Sequence, residues 1–362
     1  MEKQLPLLFL GIFLVSCIVQ GSLWANSYVL DDTMWKGVMK ETAQHVFIHP
    51  QFDNLGYPYG YPAVPLLFVG GALIHADVSP DVALRLILVV LISLGIALVG
   101  VLAYRLRPRS WWWLGAVVLL MLDTMYYIAT PPSSAVMPFV VALVLLTLLI
   151  SETQEQKARL PLLVHLGVLG GFALSLRLDI SLAIVGMSAL YLLYYVRTQM
   201  WVLLLSGVAS TIVFNPFLWA YPVEFFTAVV WRITTSYTSY EAAAPWNVIV
   251  ALSPLAMLAL CMLLIVLFIR PNLVPVARSF LYWLAGTTAL ISGILLASPV
   301  FHPEWYFSPL LLTWVAFLPL FVLALLPSLP LQKLYARLGE STVSLCAIGV
   351  LIAATVFFPD LF

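Results

Sequence analysis

The sequence predicts an all-α fold, a polytopic membrane helical bundle of about eleven transmembrane helices. Two observations carry this. The 362 residues are 63% hydrophobic and only 9% charged, whereas a soluble domain carries charge on about a quarter of its residues. The apolar residues also fall in runs of about 17–25, the length that crosses a bilayer as a helix. Formal net charge is zero, so no global field points to nucleic acid.

The candidate spans, in order, are Leu5–Trp24, Val82–Tyr104, Trp111–Ile128, Ala135–Ile150, Leu160–Leu176, Ile180–Val196, Met200–Tyr221, Trp246–Ile269, Phe280–Pro299, Trp305–Leu326 and Thr342–Phe358. The first follows Lys3 and is too long for a cleaved signal, so it reads as a retained signal anchor. Ala63–His75 is apolar but short and reads as a half-inserted or interface helix. The whole chain, 1–362, reads as one transmembrane domain with no separate soluble domain. Residues 25–80 form its first extracytoplasmic loop, which carries interfacial helices.

Basic residues test this order, because cytoplasmic loops are rich in Lys and Arg. With the N-terminus in the cytoplasm, that side collects Lys3, Arg105, Arg107, Arg109, Lys157, Arg159, Arg197, Arg270, Arg278, Lys333 and Arg337. Lys36, Lys40, Arg85, Arg177 and Arg232 are left over. Cys17, Cys261 and Cys346 all lie within apolar runs, without a CxxC, and read as small apolar residues. Trp111–Trp113 reads as an interfacial aromatic belt, and Arg85, near the start of a span, as a snorkelling side chain.

The opposite face collects other chemistry. Asp31 and Asp32 follow the first span directly. Adjacent carboxylates raise one another's pKa, which suits a base, but Asp before a helix also caps its free N–H groups. That helix runs from Thr33 to Phe47, with Met34, Val38 and Val46 on one face and Lys36 and Lys40 elsewhere. It reads as amphipathic and interfacial. Arg177 and Asp179 stand at the outer junction of two spans. A guanidinium there can hold a phosphate, or simply pair with Asp179. Arg232, beside Trp231, is a second phosphate candidate or an interfacial anchor. His302, Glu304 and Tyr306 open a late span. Hydrogen bonding to substrate suits them better than metal binding, because His-x-Glu has no second cluster to complete a ligand set.

Four features in order resemble the GT-C superfamily of integral-membrane glycosyltransferases, which includes protein mannosyltransferases and aminoarabinose transferases. They are Val29-Leu30-Asp31-Asp32; Gly60-Tyr61-Pro62-Ala63-Val64-Pro65; Asn215-Pro216-Phe217 with Tyr221-Pro222; and Trp305-Tyr306-Phe307-Ser308-Pro309. The resemblance implies inverting transfer of a monosaccharide from a polyprenyl-phosphate donor to a glycan, lipid or protein acceptor. It implies an active site on the extracytoplasmic side of the cell (inner) membrane. It gives the base role to Asp31, with Asp32 as alternative. Many members carry Asp-Glu there, and this chain has Asp-Asp. Lys36, Arg177 and Arg232 are placed as donor-phosphate contacts by topology, not by motif. Asp179, His302, Glu304 and Tyr306 complete the substrate-binding set. No cofactor and no resident metal are expected, the lipid-linked sugar being substrate. Two other readings stand beside this one, a lipid-sugar flippase or transporter and a non-catalytic subunit of the same fold. A transporter favours paired inverted repeats and charges at the midplane, whereas here the charges lie at span ends.

Overall fold

The computed structural model describes residues 4–25, 64–106, 112–122 and 131–215. It also describes single positions at 36, 37, 39, 40, 43, 218, 222, 223, 226 and 227. The spans expected from Trp246 onward lie outside these residues, as do the far ends of Trp111–Ile128 and Met200–Tyr221.

The described residues contain helices and no strand. We number the helices α1 (Leu5–Ala25), α2 (Val64–His75), α3 (Pro80–Leu106), α4 (Trp112–Leu122), α5 (Pro131–Glu152), α6 (Gln156–Leu176), α7 (Leu178–Val196) and α8 (Met200–Phe214). Among the described residues, five stretches are long and apolar enough to cross a membrane: Leu5–Trp24, Pro80–Leu106, Ser134–Glu152, Gln156–Leu176 and Ile184–Phe214. In a bilayer the backbone must satisfy its own polar groups, and an uninterrupted helix does so.

The fifth stretch is 31 residues long, and its own contacts fold it back. A 3₁₀ turn at Arg197–Gln199 separates α7 from α8. Arg159 near the start of α6 donates to the Tyr195 carbonyl at the end of α7, at 3.3 Å. The Gln199 amide donates to the Gln156 carbonyl at 3.2 Å. Further along, the Ser210 hydroxyl donates to the Val168 carbonyl at 2.6 Å, and Phe172 meets Phe214. So α7 runs antiparallel to α6 and α8 runs parallel to it, which agrees with the break expected at Arg197. Lys157, Arg159 and Arg197 thereby share one pole of this group, and Arg177 lies at the other.

The first group of helices pairs in the same way. Gly100 of α3 sits against Ile12 of α1 and Val117 of α4. Tyr104 stacks edge-on with Trp113 at 5.8 Å. Both α1 and α4 therefore run antiparallel to α3. The two groups meet where α5 lies on α3, with the ring of Pro138 seated on Gly95. A Cβ at Gly95 would stand 2.4 Å from Pro138 Cβ. α5 is the central helix, buried almost throughout from Ser134 to Ile150.

The α6–α8 pairing is the most extensive, and glycine is the reason. Gly167 and Gly171 face Leu203, Ser206, Gly207, Ser210 and Thr211 at backbone distance. Helices within a bilayer gain little from the hydrophobic effect and associate through such close packing.

The α2–α3 connection can be read residue by residue. Asp77 takes the left-handed conformation, φ 62°. Its N–H bonds to the Ile74 carbonyl and that of Val78 to the Leu73 carbonyl, each at 3.0 Å, the Schellman ending of a helix. Ser79 then caps α3, with the Val82 N–H on its hydroxyl at 3.4 Å. Pro80 fills the first helical position, where its missing N–H costs nothing. The apolar helix expected at Ala63–His75 is present as α2. Of the helix expected at Thr33–Phe47, the described positions are helical. Its Met39 is buried against Gly70 of α2, so at that point it packs on protein.

A polar path crosses the interior of the first group. The Trp24 indole N–H donates to Gln20 Oε1 at 3.2 Å, and Gln20 Nε2 donates to the Met121 carbonyl at 2.9 Å. Gln20→Leu is expected to cost about 1–2 kcal/mol, the range for interhelical hydrogen bonds in membranes. Thermal unfolding of the purified protein in detergent measures this. An unchanged midpoint would show that the α1–α4 bond contributes nothing.

Candidate functional site

The polar path continues to the C-terminal end of α1 and gathers three charged side chains there. The last turn of α1 has no basic residue of its own, and a helix C-terminus leaves carbonyls without partners. Arg85 of α3 fills the gap by donating from Nη1 to the Trp24 carbonyl. A cation is also favoured there by the helix dipole.

Asp81 lies one turn before Arg85, in the first turn of α3, where a carboxylate is favoured by the dipole. Its Oδ2 stands 3.4 Å from Arg85 Nε, and its Oδ1 pairs with the Lys36 ammonium. The side chains of Lys36 and Arg85 are 24% and 26% exposed, and that of Asp81 51%. At such exposure each ion pair is screened and contributes about 0–1 kcal/mol. The cluster therefore fixes geometry more than it stabilises the fold. Two cations against one carboxylate leave these three groups with a single positive charge.

Arg177 occupies a different setting. It is the whole connection between α6 and α7, with φ −157° and ψ 113°. Its N–H bonds to the Ala173 carbonyl at 2.9 Å, and the Ser181 hydroxyl bonds to the same carbonyl at 2.8 Å. Arg177 is buried, at 8% exposure. The C-terminal end of α6 favours a cation there. Asp179 is the second residue of α7.

Asn215 follows α8 directly and emerges at the same end of the α6–α8 pair as Arg177. An edge-to-face series Phe139–Phe172–Phe214 braces that end, with centroids 5.0 and 4.9 Å apart. Asn215 is buried, and its Oδ1 has no hydrogen-bond partner among the described residues. An unsatisfied buried acceptor carries a desolvation cost of about 1–3 kcal/mol.

Of the residues singled out in the sequence, the structure brings Lys36 to Asp81 and Arg85, and sets Arg177 and Asp179 at the α6–α7 turn. Asp31, Asp32, Arg232, His302, Glu304 and Tyr306 lie outside the described residues. So do Pro62 and Phe217 of the resemblance motifs. Asp81 was not singled out, and Arg85 was read as snorkelling. Their four-residue spacing at a helix start is the signal that marks them as a pair. Among the described residues, no three His, Cys, Asp or Glu side chains stand close enough to hold a metal ion.

Comparison of the chain with protein-family models, with curated proteins and with solved structures finds no match.

Proposed function

We propose that this chain is a membrane glycosyltransferase of the GT-C kind. It transfers a monosaccharide from a polyprenyl-phosphate donor to an acceptor on the extracytoplasmic face, with inversion. One observation supports the reading above others. The acidic pair Asp31-Asp32 stands in the chain between Trp24 and Lys36, and both of those residues are tied to the first turns of α3 through Arg85 and Asp81.

The chemistry follows from the residue types. The donor's lipid tail lies among the spans, so its sugar–phosphate bond arrives at a set depth. Asp31 or Asp32 accepts the proton of the acceptor hydroxyl as its oxygen bonds to the anomeric carbon. The bond from that carbon to the lipid phosphate oxygen breaks, and polyprenyl phosphate leaves. Lys36, Arg177 and Arg232 stabilise the negative charge on the departing phosphate. Asp179, His302, Glu304 and Tyr306 hydrogen-bond donor or acceptor. The substrate partners are the lipid-linked sugar and a glycan, lipid or protein acceptor, with membrane lipid around the spans.

The test uses the full chain in liposomes with a panel of labelled polyprenyl-phosphate sugars. Release of polyprenyl phosphate with the label moved to an acceptor is expected. Movement of intact lipid-sugar between leaflets without cleavage would replace this reading with the flippase. Tight donor binding without turnover would favour the non-catalytic subunit.

Sidedness has its own check. Asp77→Cys in the α2–α3 turn and Gln154→Cys between α5 and α6 both place a thiol at an exposed position. On intact cells a membrane-impermeant thiol reagent is expected to label Asp77→Cys and to spare Gln154→Cys. The reverse pattern would put the acidic pair in the cytoplasm and remove the proposal.

A further inference from the structure

Three cations from separate places in the chain meet at the turn where α7 gives way to α8. Arg197 belongs to that turn. Arg159 of α6 donates to the Thr153 carbonyl and to the Tyr195 carbonyl just before it. The Gln199 amide holds the Gln156 carbonyl, which brings Lys157 beside the same turn. Lys157 and Arg197 are exposed, and Arg159 is half-buried. Among the described residues none of the three forms an ion pair. Glu152 and Glu155 are exposed on the adjoining α5–α6 connection. Three cations against two carboxylates leave this pole with a single positive charge. We infer that the turn is a binding site for the headgroup of an anionic phospholipid.

The charge chemistry calls for a phosphate. Guanidinium and ammonium groups hold phosphate oxygens through charge-assisted hydrogen bonds, and α6 opens beside them with no side chain capping its first N–H groups. The surroundings call for a lipid to carry it. Tyr194 and Trp201 flank the turn at 87% and 61% exposure, and such aromatic side chains sit at the headgroup level of a bilayer. From Trp201, the exposed Leu204, Leu205 and Val208 run on along α8 at helical spacing. They offer an apolar track for an acyl chain directly below the cations. Basic pockets between membrane helices hold acidic headgroups in this way. Arg159 is the positioning member, because its bonds tie the start of α6 to the turn. The site lies at the pole away from Arg177 and does not depend on the transferase reading.

Native mass spectrometry of the delipidated full chain in detergent tests this, with phosphatidylglycerol and phosphatidylcholine of identical acyl chains. The tails are shared, so any preference reads the headgroup charge. Wild type is expected to bind phosphatidylglycerol roughly tenfold more tightly than phosphatidylcholine. The double variant Lys157→Gln with Arg197→Gln is expected to bring the two lipids to within about twofold, with phosphatidylcholine binding unchanged. Both side chains are exposed, so their replacement leaves the core intact. Lys157→Arg with Arg197→Lys keeps both charges and is expected to keep the preference. Lys40→Gln removes an exposed cation from the segment that packs on α2, and is expected to change nothing. Equal binding of the two lipids by wild type would overturn the inference, as would a full preference in the Gln double variant. Displacement of phosphatidylglycerol by an equal concentration of inorganic phosphate would also overturn it, because the site would then be one for a soluble anion.

Discussion

Replacing Asp31 and Asp32 by Asn together is expected to lower sugar transfer by about 10²–10⁴-fold, the range that a positioned general base contributes. One single variant is expected to account for most of that loss, because two adjacent carboxylates do not both serve as base. The other is expected to lose about tenfold or less, through the altered pKa of its neighbour. Donor binding is expected to persist in all three variants, since Asn keeps the size of Asp and the phosphate contacts are placed elsewhere. The measurement is initial rate with the donor identified in the panel, beside binding of the same donor. Wild-type rates in the double variant would end the proposed catalytic role of the pair.

A second large effect is expected in stability. Gly171→Leu would put a Cβ 2.6 Å from the Thr211 backbone nitrogen and 2.7 Å from the Gly207 carbonyl oxygen. Those are backbone atoms, and no side-chain rotation relieves them. α6 and α8 must separate along their length, which breaks the contact of Ser210 with Val168 and the meeting of Phe172 with Phe214. A loss of about 3 kcal/mol or more is expected, at the upper end of overpacking. Gly167→Leu should behave likewise, its Cβ standing 2.8 Å from both the Gly207 nitrogen and the Leu203 carbonyl oxygen. Gly186→Leu is the control, because nothing among the described residues lies within 4 Å of a Cβ there. Thermal unfolding of the three variants in one detergent decides the point. Equal midpoints would mean that the close α6–α8 approach contributes nothing to stability.

The two effects differ in how far the sequence announced them. Asp31-Asp32 is conspicuous because carboxylates are rare beside an apolar run and costly at membrane depth. Gly171 was not conspicuous. It lies in an apolar helix whose faces differ little in hydrophobicity, so periodicity says nothing about which face meets a neighbour. The break at Arg197–Gln199 was visible despite apolar sequence on both sides, because a basic residue is poorly tolerated in mid-membrane. The Ala76–Pro80 turn was legible in principle, since Asp tolerates the left-handed conformation and Ser-Pro starts a helix.

By itself the sequence determined that the described residues are helical, with several stretches long and apolar enough to cross a membrane, and it placed the starts of those helices to within about four residues, while α8 ends at Phe214 and not at the expected Tyr221. A bilayer accepts only long apolar segments that satisfy their own backbone, so composition and run length suffice. Only the tertiary structure decided that Lys36 meets Asp81, that Arg85 holds the Trp24 carbonyl, and that α8 lies parallel against α6. Those partners are separated by 45, 61 and about 40 positions in the chain. Their pairing depends on side-chain fit between helices, which hydropathy does not encode.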